Sequence, residues 1–118
     1  MNYYVYVKKE HSLPEEHPEY GPPSLVGYSM DHEHRYKDKP GYRKTLLALI
    51  KVPNERAAIE LEEAICNCPD YQVYRREDIT SSKEVLFLPQ DIRERIRNGE
   101  WPDDVAKVIR KYNGRRFL

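Results

Sequence analysis

All four histidines of this chain, His11, His17, His32 and His34, fall in its first third. Glu10, Glu15, Glu16, Glu19, Asp31 and Glu33 lie among them, and residues 10–33 contain no Lys or Arg. Imidazole and carboxylate are ligands for Zn²⁺ and related divalent metals. In an extended segment His32 and His34 project to the same face. With one of Glu15, Glu16 or Asp31 they would make a ligand set for a metal-dependent hydrolase or nuclease. Cys66 and Cys68 would complete a Cys₂His₂ site, but a single residue separates them where structural zinc sites use two to four. The plainer reading is a solvated acidic loop with incidental histidines. Cys68, which continues the apolar stripe of Leu61 and Ile65, then packs as a small hydrophobe.

The charge reverses immediately afterwards. Residues 34–44 (HRYKDKPGYRK) carry five Lys or Arg and one Asp, interleaved with tyrosine. Lys and Arg neutralise phosphates and release their counterions, and tyrosine rings stack on exposed bases. This pattern marks Arg35, Lys37, Lys39, Arg43 and Lys44 for phosphate contact, and Tyr36 and Tyr42 for stacking. Tyr74-Arg75-Arg76 and Arg115-Arg116-Phe117 repeat the theme. Tyr4, Tyr6 and Tyr74 would add to it if their strands shared an open sheet face, the way single-stranded RNA is read by sheet aromatics. The chain has ten tyrosines against two phenylalanines and one tryptophan. Its net charge of zero weakens the overall electrostatic footprint that nucleic-acid binders usually show.

Catalytic patterns are otherwise lacking. The five glycines are scattered singly, so there is no phosphate-cradling loop, and neither a nucleophile elbow nor a Walker lysine is present. Glu62 and Glu63 belong to a solvated helix face, where nothing raises a carboxyl pKa for acid–base work. No catalytic residue and no cofactor is therefore assigned, the divalent metal at His32 and His34 being the exception to test. The leading expectation is a non-catalytic binding module whose partner is nucleic acid. The alternatives are a protein–protein interaction module, including a homo-oligomer, and the metal-dependent hydrolase or nuclease.

The elements that must position these residues follow from periodicity. At 118 residues, 39% hydrophobic and 34% charged, the chain suits one domain spanning 1–118 with its own core. A proline-rich loop occupies 9–23 and a basic polar loop 31–44. Strands are expected at 3–8, 24–30, 45–52, 71–76 and 84–88, the last two as a hairpin. The glycine within the second strand, Gly27, signals a bulge or a close approach. A helix starts after the N-cap Asn54 and stops before Pro69. Two shorter helices follow at 90–98 and 102–113, ending at Gly99 and Gly114. This order predicts an α+β fold, a mostly antiparallel sheet packed by helices, as a ferredoxin-like (split βαβ) variant with two short C-terminal helices. No apolar run approaches the roughly 20 residues that cross a bilayer. The N-terminus has no signal-peptide pattern, and two close cysteines make no disulfide framework. These features favour a cytoplasmic protein without a membrane partner.

Overall fold

The computed structural model describes residues 2–9, 23–30, 40–72 and 85–117. They form an antiparallel five-stranded sheet and four α-helices, an α+β architecture. The strands are β1 (Tyr3–Lys9), β2 (Ser24–Ser29), β3 (Leu46–Val52), β4 (Val85–Leu86) and β5 (Arg115–Arg116). The helices are α1 (Pro40–Thr45), α2 (Glu55–Cys66), α3 (Gln90–Arg97) and α4 (Asp103–Lys111). The sheet order is β4-β2-β1-β3-β5, so the N-terminal strand lies at its centre.

Alternation assigns the two faces. Val5, Val7, Val26, Ile50 and Val52 join Ala57, Ala58, Leu61 and Ile65 of α2 in the main core. Val105 of α4 and Ile96 of α3 extend it. Burying such side chains contributes roughly 1.5–3 kcal/mol each, which is what holds these helices to one side of the sheet. On the other side Tyr4, Leu46 and Leu49 form a small second cluster, with Tyr6 and Phe117 against it. β3 is buried along nearly its whole length, as its continuous apolar run predicts.

The N-cap of α2 is as expected. Asn54 is extended (φ −156°, ψ 171°), and its side-chain oxygen accepts from the Ala57 amide at 2.8 Å. Glu55 stands in the first turn, where the helix dipole favours an acid. Asn54→Ala is expected to cost about 1 kcal/mol, read as a lower midpoint in urea denaturation with unchanged slope.

Four expectations are corrected. The end of the basic polar loop expected over 31–44 is not a loop, since Pro40 starts α1, proline being suited to the first helical position, where its missing N–H is no loss. Tyr71 is not in a strand. It closes a 3₁₀ turn, Pro69–Tyr71, pinned by Gln72, whose side-chain amide donates to the carbonyls of Cys66 (2.6 Å) and Cys68 (3.3 Å). Residues 73–76 lie outside the described set. Val85–Leu86 pairs with β2, in register Ser24↔Leu86 and Leu25↔Val85. In the expected split βαβ arrangement that segment would flank β3, but β5 holds the place. Finally, the turn after α4 puts Asn113, not Gly114, in the left-handed region (φ 52°), whereas Gly99 (φ 75°) does serve α3 in that way. Asparagine tolerates this conformation better than most residues.

α2 and α4 are tied together at their surface. Lys111 donates to Glu60 Oε1 at 2.8 Å, and the Tyr112 hydroxyl donates to Glu60 Oε2. These two hydrogen bonds hold the Glu60 carboxyl below its ordinary value, and the same contact raises Lys111. A depressed carboxylate stabilises the fold fully above its unfolded pKa and loses that contribution as pH falls through the folded one. Wild type should therefore be more stable than Glu60→Gln at neutral pH. The difference should shrink below about pH 4.5, the ordinary value for this group. Thermal melts of both proteins across pH 3–7 measure it.

Candidate nucleic-acid interface

None of the five strands contains an Asp or Glu, while together they carry Lys8, Lys9, Lys51, Arg115 and Arg116. The acids of the described residues sit in the helices and their connections. A chain with no net charge thus presents a wholly cationic sheet.

Register decides which of these cations act together. Tyr4 is opposite both Ser29 and Lys51, and Lys51 is in turn opposite Arg115. Directly opposed residues share a face, with Cβ atoms about 4.5–5.5 Å apart. Ser29, Tyr4, Lys51 and Arg115 therefore form one row on the face away from α2. Gly27, Tyr6 and Leu49 form the next, continued by Phe117, whose amide donates to the Leu49 carbonyl at 2.8 Å. Lys8 follows, its ammonium 5.7 Å from the centre of the Tyr6 ring.

The floor of this face is closed and its rim is accessible. Tyr4 is buried and packs edge-on against Phe117, ring centres 5.6 Å apart and planes at 82°. Leu49 is buried beside it. Tyr6, Lys8, Lys51 and Phe117 are half-buried and Arg115 is exposed. Lys51 and Arg115 are like charges in direct cross-strand register, which is unfavourable by itself, and neither has an ion-pair partner among the described residues. Beside them a recess of about 330 Å³ opens between Asn2, Pro53 and Asn113, with Lys51 and Arg115 in its wall. An anion seated there would offset their repulsion.

Arg116 has a different task. It lies opposite Ile50 on the helix side. Its guanidinium donates to the Arg97 carbonyl at 2.5 Å and the Asn98 carbonyl at 3.4 Å. It thereby satisfies acceptors left over at the C-terminus of α3. In the Arg115-Arg116-Phe117 triplet, then, Arg116 supports the fold, Phe117 packs on Tyr4, and Arg115 faces solvent.

Of the residues marked from sequence, Arg43 and Lys44 lie exposed in the last turn of α1, with only Thr45 between Lys44 and the start of β3. Tyr42 takes a place in the same helix. Arg35, Tyr36, Lys37, Lys39, His32 and His34 lie outside the described residues, as do Tyr74, Arg75 and Arg76. Among the described residues no group of three or more His, Cys, Asp or Glu gathers as metal ligands. Cys66 and Cys68 are buried free thiols. Burial pushes the Cys68 thiol up, away from the thiolate that a metal takes.

A second feature escaped the sequence reading. A cleft of about 610 Å³ lies between the Pro69–Tyr71 turn and the α3–α4 junction. Its walls include Trp101, which also packs against the main core. Tyr71 contributes to them too, and its buried hydroxyl has no partner among the described residues. An orphaned buried hydroxyl costs about 1–3 kcal/mol. Burial is the main reason that this phenol's pKa is raised, with Cys68 and Asp70 adding to it. The lone tryptophan between Asp91, Glu100 and Asp103 was the available signal.

No described helix is long and apolar enough to cross a membrane. No protein-family model, curated protein or solved structure matches this chain.

Proposed function

We propose that this chain is a binding module for single-stranded nucleic acid, which it takes on the sheet face opposite α2. The observation that carries this reading is the segregation of charge. Every charged residue of the five described strands is basic, and three of them, Lys8, Lys51 and Arg115, surround Tyr6 and Phe117. Cations beside accessible aromatic rings match a phosphate backbone with unstacked bases, which offer π-faces whatever their sequence. A duplex hides those faces, so single strands are preferred. α1 brings Arg43 and Lys44 to the start of β3, and residues 34–39 extend the same basic–aromatic pattern in sequence. The Arg43 and Lys44 turn and the sheet face are read as one surface.

The test is fluorescence anisotropy with labelled single- and double-stranded DNA and RNA, titrated at two salt concentrations. Saturable binding of single strands that weakens with salt supports the reading. No binding at tens of micromolar protein in low salt refutes it.

A further inference from the structure

We propose that the cleft between the Pro69–Tyr71 turn and the α3–α4 junction is a second binding site, which takes an arginine or lysine side chain of a basic peptide. This site is independent of the sheet face, and its charge is opposite. Among the described residues, Asp70, Asp91 and Glu100 line it against one guanidinium, that of Arg95. Asp91 and Arg95 are four residues apart on α3, a spacing at which ion pairs commonly form. No ion pair joins them, and among the described residues neither Asp70 nor Glu100 has one. The carboxylates are exposed and available to an incoming cation.

Three further features specify the ligand. Trp101 and Ile92 are both half-buried and supply apolar wall. An indole face attracts a guanidinium or ammonium lying over it, most strongly of the aromatic rings. The aliphatic stem of arginine or lysine can lie along apolar surface while its head stays polar. Tyr71, 2% exposed, contributes a hydroxyl that lacks a partner among the described residues; it keeps its proton, and its oxygen can accept from a cationic N–H. Phosphate is disfavoured here by the three carboxylates, and a wholly apolar ligand would leave them desolvated without compensation. Charge complementarity thus selects a basic side chain, and the open cleft admits one presented by a peptide.

Trp101 is the chain's single tryptophan, so its emission reports on this cleft. The probes are acetyl-Gly-Arg-Gly-amide and its lysine counterpart, with acetyl-Gly-Gln-Gly-amide as the uncharged control. Saturable emission changes are expected with the two basic peptides and not with the glutamine peptide. Asp91→Asn combined with Glu100→Gln should weaken binding at least tenfold, and each alone at least threefold. Glu63→Gln, outside the cleft, should leave it unchanged. Circular dichroism verifies that each variant is folded. No saturable response to either basic peptide, an equal response to the glutamine peptide, or wild-type affinity in the double variant would overturn the proposal.

Discussion

Replacing Lys51 and Arg115 together by alanine is expected to weaken binding of single-stranded RNA at least tenfold at low salt while leaving the fold as stable or more so. The two side chains oppose one another across β3 and β5 and have no acid beside them in any strand. Among the described residues nothing relieves their repulsion in the free protein, so truncating both removes an unfavourable cross-strand pair. In the complex each would neutralise a phosphate. Losing two such contacts on a single strand should make the slope of log K against log salt shallower by about 1.4, from roughly 0.7 per contact. Binding and stability then move in different directions, which general damage to the sheet would not produce. Arg116→Ala supplies the contrast. It removes the hydrogen bonds to the Arg97 and Asn98 carbonyls, so it should lower stability and leave the salt slope unchanged. Unaltered affinity in the Lys51 and Arg115 variant removes this row from the interface.

The difference between those neighbours shows where sequence reading reached its limit. Residues 34–44 stand out because their charges are contiguous. Lys8, Lys51 and Arg115 are far apart in the chain and become a set only through the registers of β1, β3 and β5. Nothing in Arg115-Arg116 distinguishes the residue facing solvent from the one that caps α3. That follows only once β5 is paired with Ile50 and Lys51. The long elements were readable because their apolar period exceeds local ambiguity, as in the stripe of Leu61 and Ile65 or the run through β3. β4 and β5, two residues each, are too short to have a period, and they exist only as additions to the edges of strands already formed. The strand order depends on them, and the expected split βαβ arrangement failed at that point. The acid-lined cleft was hidden for a similar reason. Its walls come from a 3₁₀ turn, whose Tyr71 is expected from sequence to start a strand, and from the junction of two short helices, to which periodicity assigns no partner.

One local signal did carry through, and it gives the largest stability effect expected. Gly27→Val should destabilise the protein by about 3 kcal/mol, since overfilling a packed site typically costs 1–3 kcal/mol and sometimes more. Gly27 is directly opposite Tyr6. A Cβ built at Gly27 would lie 2.6 Å from Tyr6 Cζ, far inside van der Waals contact, because the phenol ring lies across the bare glycine backbone. Gly27 is thus required by a close approach and not by an unusual φ. The ring cannot retreat freely, for it also packs against the Tyr4, Leu46 and Leu49 cluster. If this contact is the cause, the penalty belongs to the pair. In a Tyr6→Ala background Gly27→Val should cost less than about 1 kcal/mol, because the space is already vacant and valine suits a strand better than glycine. The double-mutant cycle, read from urea denaturation, should therefore give a coupling energy of about 2 kcal/mol. Additive penalties would mean that Gly27 is needed for some reason other than the ring, and would undo the assignment of Tyr6 to that face of the sheet.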